Sequence, residues 1–300
     1  MSTKSEVKKA KMAAKQKDRS ASEWAEVWRR LKKNRMAMVG LVILILLILM
    51  AIFADVLAPA GFNDQSIPRR NKAPSSEYWM GTDNFGRSIL DRAIHGSRVS
   101  LVIGIISVSI AVVFGGLLGA IAGYFGGKVD NIIMRIMDVL LAIPSILLAI
   151  SIVAALGNGL FNVMIAVGIS SIPGYARIVR ASVLSLKGQE FVDAARAIGA
   201  GNGRIIFKHI IPNSLAPVFV QGTLGVATAI LSAAGLSFIG LGLMPPNPEW
   251  GAMLAVGRHH VRDHGHMTLF PGLFIMLTIL ALNLLGDGLR DALDPKLKSG

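Results

Sequence analysis

Residues Val139–Ala176, VLLAIPSILLAISIVAALGNGLFNVMIAVGISSIPGYA, run for 38 positions without a charged side chain, from Asp138 on one side to Arg177 on the other. As one helix the run would be roughly 57 Å long, nearly twice the ~30 Å of hydrocarbon in a bilayer. Gly157-Asn158-Gly159 interrupts it with a turn signal, so the run divides into two helices, near 131–156 and 160–180. Four further uncharged runs follow the same logic: 36–54, 99–127, 210–248 and 267–286. Together they predict six spans and an all-α, polytopic membrane protein.

The run from Ile210 is the least regular. Pro212-Asn213 should start a helix near Ser214, and Gly235, Gly240, Gly242 and Pro245-Pro246 should fray it before Trp250, giving one span with an irregular or re-entrant exit. Composition agrees with a membrane solvent. The 300 residues are 53% hydrophobic and 16% charged, against about 25% charged in soluble proteins. With no cysteine, disulfides, thiolate metal sites and a cysteine nucleophile are excluded.

The net charge of +13 is an orientation signal. Six spans put both termini on one side. The segments 1–35, 126–135 and 177–208 and the C-terminal tail then share that side and hold 23 of the 31 Lys+Arg, which assigns both termini to the cytoplasm. Nucleic-acid binding is the losing explanation, because the cations are spread over several segments and lack interleaved aromatics. The N-terminal run of 19 exceeds the 7–15 of a signal-peptide core and reads as an uncleaved first span. Ahead of it, Ser20 and Glu23 have capping-box spacing, and Trp24, Val27, Trp28 and Leu31 share a helical face, as in an interfacial helix on the inner leaflet. The expected organisation is a tail at 1–35, a first transmembrane helix at 36–58, an extracytoplasmic segment at 59–96, a transmembrane core at 97–288 and a C-tail at 289–300.

Within the second span Gly115, Gly119 and Gly123, flanked by Gly104 and Gly116, leave one face bare for close helix packing or sliding. Pro144 and Pro173 should bend their helices. Arg135 and Asp138, three apart, read either as an interfacial pair on one face or as cavity or gate residues. Asp287, Arg290, Asp291 and Asp294 read as a charge cluster that pins the last helix end.

Enzyme signatures fail. Gly126-Gly127-Lys128 lacks the upstream glycine and following Ser/Thr of an ATP-binding loop, and Gly235–Gly240 is one residue too long for a nucleophile elbow. No catalytic residue, cofactor or metal ligand is assigned. His259, His260, His264 and His266 crowd one outer loop and read as solvated, with metal capture as the minority reading.

The stretch 186–213, LKGQEFVDAARAIGAGNGRIIFKHIIPN, predicts two short helices meeting at a Gly-rich turn, a compact knob below the membrane, where an ordinary connection needs only a few residues. Ala194 and Ala195 would let another surface approach, and Glu190, Asp193 and Arg196 offer polar contacts. Asp193-Ala194-Ala195-x-x-x-Gly199, with Pro212 thirteen residues later, resembles the coupling loop of ATP-binding-cassette (ABC) importer permeases. Asp193 stands for the usual Glu, His209 for an apolar residue and Ile211 for Leu. Gly81–Arg87, Gly96–Leu101, Pro245–Gly251 and Gly286–Lys296 are similar to the second, C-type permease subunit of the dipeptide/oligopeptide/nickel branch, with Ser88 and Asp91 interchanged relative to that branch.

The resemblance implies a type I importer permease in a bacterial cytoplasmic (inner) membrane. It implies a heterodimer with a homologous second permease, two cytoplasmic ATPase subunits that engage residues 187–212, an extracytoplasmic solute-binding protein, and di- or oligopeptide cargo moved by alternating access. Nickel, a metal chelate or a glutathione-like peptide is the rival cargo, and a non-transporting scaffold the remote alternative. Asp193 to Gly199, with Glu190 and Pro212, are the expected ATPase-coupling residues. A channel or proton-coupled carrier would need more buried carboxylates.

Overall fold

In the computed structural model, residues 25–293 are described; Ser20, Glu23, Trp24 and Asp294 lie outside them. Helix α1 spans Arg35–Ile52, α2 Ile89–Phe125, α3 Gly127–Ala142, α4 Ser145–Leu156 and α5 Leu160–Leu186. Helix α6 spans Glu190–Ala197, α7 Leu215–Phe238, α8 Trp250–Gly257 and α9 His266–Leu293. Among the described residues five helices are long and apolar enough to cross a membrane, or six spans result if α3 and α4, bent by 90° at their break, count as one.

The helix breaks have local causes. Gly157 and Gly159 adopt positive φ of 88° and 152° and separate α4 from α5 where the sequence predicted a turn. Pro144 stands at the α3–α4 break, because its ring and missing N–H stop α3 from continuing. Pro173, unlike the exposed Pro144, is buried, and α5 runs through it unbroken.

Helix α2 begins ten residues before Val99, where the uncharged run starts. Ser88 caps it, accepting from Asp91 N at 3.3 Å, so the interchange of Ser88 and Asp91 leaves a sound helix start. Its first turns carry Arg92 and His95, but both are buried under distant segments rather than solvated.

Packing directions place the rest. The bare face of α2 receives α5: a Cβ on Gly115 would stand 2.6 Å from Ile172 O and one on Gly123 3.0 Å from Arg180 O, so the two helices run parallel at backbone contact. Gly104 meets Ile230, and Val108 lies beside Gly225, so α7 runs antiparallel to α2. Gly40 faces Ala281 and Leu284, and Gly288 faces Ala37, so α9 runs antiparallel to α1. Residues 25 and 293 and the 187–213 segment therefore share one end of the bundle. At that end residues 25–31 are helical, and Val27 and Leu31 pack with Leu285, Leu289 and Ala292. Part of the face expected to lie on lipid thus docks on the bundle, while Trp28 stays exposed under the Lys32 ammonium.

Candidate coupling site

The knob is built as predicted, with one inversion. In α6, Glu190 and Asp193 occupy the first turn and Arg196 the last, complementing the helix dipole. Val192 and Ala195 point inward; Glu190, Asp193, Ala194 and Arg196 point outward, the Asp193–Arg196 pair closing at 3.3 Å. Ala195, expected to admit a partner, is instead 5% exposed and part of the internal packing. Gly199 closes the helix at φ 81°, donating to Arg196 O at 2.9 Å, while Ala200 N reaches Ala195 O at 3.0 Å. Open space surrounds Gly199, so its left-handed backbone is the reason for glycine.

The return leg is helical over Asn202–Ile205, widens into a π turn over Ile206–Ile210 and tightens again over Ile211–Asn213. Pro212, exposed, lacks the N–H that a regular turn would need, and the widened turn lies directly before it. Ile205, Ile206 and Ile210 join Val192 and Ala195 against Ala120 and Tyr124 of α2, Val179 and Val183 of α5, and Val218 of α7. Tyr124 donates to Asn202 Oδ1 at 2.8 Å, and the Arg196 guanidinium lies 5.7 Å from its ring centroid. The knob is thus a packed extension of three spanning helices.

Sequence reasoning missed two exposed apolar residues on this knob. Ile198 is 85% exposed and Phe207 63% exposed. Ile198 follows Val192 and Ala195 at three-residue spacing, which on a continuing helix would turn it inward. The helix ends at Ala197, so it projects instead.

The α3 charges pair differently from the expectation. Asp138 does not join Arg135; it accepts from Arg177 Nη2 at 2.6 Å, so the two charges that bracket the 38-residue run meet each other. Arg180 holds Asp130 in a bidentate pair at 2.5 and 2.6 Å. Arg135 is exposed, with no ion pair among the described residues. Likewise Arg290 has none among them, and Asp291 accepts from Asn34 Nδ2 at 3.5 Å.

At the opposite end three of the four quoted motifs, Gly81–Arg87, Gly96–Leu101 and Pro245–Gly251, form a cap. Asp83 Oδ1 accepts from Phe85 N and Arg87 N at 2.8 and 3.0 Å, and Oδ2 from Arg87 Nε at 2.7 Å. Arg92 donates to Phe62 O at 3.0 Å and Pro246 O at 3.1 Å, stitching together segments far apart in sequence. Trp250, fully buried, donates from Nε1 to Ala93 O at 2.9 Å. Glu249 caps α8 by accepting from Gly251 N and Ala252 N at 2.8 and 2.7 Å, while burial pushes its carboxyl above the usual range. His264 lies within ring contact of His260 and His266, but among the described residues no three His, Asp or Glu side chains are grouped to hold a metal ion.

A knob fused to a helical bundle is the arrangement to set beside known proteins. Residues 115–299 match the family described as binding-protein-dependent transport system inner membrane component. The chain belongs to that family. Residues 22–74 match the N-terminal TM domain of oligopeptide transport permease C. The permease is 52% identical over 280 residues to the dipeptide transport system permease protein DppC of Alkalihalophilus pseudofirmus, covering 93% of this chain and 92% of the relative. It is 47% identical over 277 residues to the glutathione transport system permease protein GsiD of Pectobacterium atrosepticum, covering 92% of each. A chain of the inward-facing MetNI methionine ABC transporter shares the fold at TM-score 0.56 and 17% identity, covering 68% of this chain and 97% of that one. The protein is accordingly a multi-pass inner-membrane permease of the ABC importer class, with a type I importer fold.

Proposed function

We propose that this permease forms one half of the translocation pathway of an ATP-driven importer of short peptides, with a homologous permease as the other half. The observation that carries this reading is the knob: one face packs into α2, α5 and α7, while the other presents Asp193, Arg196, Ile198 and Phe207 to a partner. Such a part transmits displacement, because a rigid element docked on three helices moves them together. Two ATPase subunits are its partners, and closure of their dimer on ATP would drive the knob and switch the bundle between inward and outward access. With the knob and both termini in the cytoplasm, 23 of the 31 Lys+Arg lie on the inner side. The cap of Asp83, Arg92 and Trp250 then faces an extracytoplasmic solute-binding protein.

The dipeptide and glutathione relatives support peptides of two or three residues as cargo. Metal or metal-chelate uptake is the competing reading, drawn from four histidines that are close in sequence in one loop but, among the described residues, not grouped to hold a metal ion. The complex in vesicles should take up labelled dipeptide in an ATP-dependent way. Gly199→Leu, strained at φ 81°, should keep membrane insertion and lose peptide-stimulated turnover. Normal transport by that variant would overturn the coupling role, and metal uptake abolished by changing the four histidines to Ala would replace peptide by metal as cargo.

A further inference from the structure

The exposed surface of the bundle is of two kinds. Helix α1 shows the surface that hydrocarbon selects: Val39, Val42, Ile45, Leu46, Ile48, Leu49 and Ile52 are all exposed, and no charged side chain occurs between Met36 and Ile52. Helix α5 differs. It is packed against α2, α4 and α7, and the narrow strip left open in its second half carries Gly174, Arg177 and Ala181, at helical spacing, with the exposed Leu184 and Ser185 at the end nearest the knob. Nothing lies within 4 Å of where a Gly174 Cβ would stand. Beside this strip stands α3, whose Asn131, Arg135 and Asp138 share a face and are exposed, while Ile132, Ile136, Val139 and Ile143 form a separate apolar stripe.

A guanidinium and a carboxylate on membrane-embedded helices cost several kcal/mol or more against lipid, and are found facing a bundle interior or a water-filled cavity. Pairing offsets the charge of Asp138 and Arg177, but both remain about half exposed, with side-chain exposures of 47% and 54%. Arg135 has no anionic partner among the described residues. Helix α4, at 12 residues, reaches only about 18 Å and leaves the part of the membrane nearest the knob to the steeply turned α3. The 90° turn of α3 from α4 leaves the strip of α5 that carries Arg177 exposed.

From this geometry we infer that Gly174, Arg177 and Ala181 of α5, with Asn131, Arg135 and Asp138 of α3, line the water-filled inner half of the substrate passage. Arg135 supplies an unneutralised cation to the carboxylate end of a peptide. The inference rests on the importer reading above. It adds a direct link between passage and knob, since α5 carries Arg177 and, through Arg180, the Asp130 pair before it enters the knob at Lys187.

The absence of cysteine makes the test clean, because any thiol introduced is the only one in this subunit. Gly174→Cys, Ala181→Cys and Arg135→Cys are compared with Val42→Cys and Ile45→Cys in the assembled complex in vesicles. A charged, membrane-impermeant thiol reagent is added with access to the knob side, and modification is read as a mass shift on this chain. The passage positions should react about tenfold or more faster than the α1 positions, because the reactive thiolate requires water, and should slow when the ATPases are trapped in their closed state. Rates at 174 and 181 no faster than at 45 would overturn the assignment, as would fast rates unchanged by trapping. Either result can occur in a complex that still imports dipeptide, which separates failure of this inference from failure of the importer reading.

Discussion

Replacing Ile205 by alanine should loosen the knob from the bundle while leaving the spanning helices in place. Ile205 is fully buried between Val192 and Ala195 of its own knob and Tyr124, Val179 and Val183 of α2 and α5. The substitution removes three carbons, about 2.4 kcal/mol at ~0.8 kcal/mol per buried CH₂. An unrelaxed cavity raises the total toward about 5 kcal/mol. At ~1.4 kcal/mol per factor of ten, the docked knob loses at least about 50-fold against undocked forms. Hydrogen exchange over residues 190–210 should rise, and in reconstituted complexes peptide uptake per ATP hydrolysed should fall while hydrolysis persists. Ile198→Ala is the matched control for hydrogen exchange alone, since Ile198 is 85% exposed and supports no internal packing but lies on the face offered to the partner. Exchange that rises with uptake per ATP unchanged would refute rigid transmission through the knob. Exchange that does not rise would refute the packing estimate.

The remaining predictions concern assembly and the cap. Gly115→Ala, whose Cβ would lie 2.6 Å from Ile172 O, should lower stability by roughly 1–3 kcal/mol through overpacking. Gly116→Ala, with only Val179 Cγ2 nearby at 3.9 Å, should be neutral or stabilising, and thermal unfolding in detergent compares the two. Trp250→Ala should cost about 3–5 kcal/mol and expose the cap to limited proteolysis. Glu249 makes the cap pH-sensitive in a defined direction. Because its folded carboxyl is raised above the ordinary 4.5, its contribution is full below that value and is lost as pH rises through the folded one. Melting temperature should show this slope in the parent protein and lack it in Glu249→Gln; equal slopes would exclude the carboxyl as its source.

The sites were legible to different depths. Val192 and Asp193 face opposite ways because helical periodicity sorts apolar from polar residues, and that needs only local sequence. Ala195 was misread because a small residue serves equally for a partner's approach and for self-packing, and only its neighbours Ile205 and Val183 distinguish the two. Arg135 and Asp138 have ideal spacing for a pair, yet Asp138 turns to Arg177, a partner 39 residues away that no local rule proposes. The start of α2 was hidden for a similar reason. Arg92 and His95 look like the edge of a span until the carbonyls of Phe62, Pro246 and Ala58 are brought over them.

The sequence by itself determined the membrane class, the number of apolar runs, the turn at Gly157–Gly159 and the knob between α5 and α7. Each follows from hydrophobicity, charge and backbone freedom counted along the chain. The tertiary structure alone decided which charges meet, which alanine is buried, and that α3 and α4 meet at 90° with the Arg177 strip of α5 left uncovered. Those outcomes depend on the direction in which distant helices pass one another, and local periodicity carries no information about a neighbour 40 or 150 residues away.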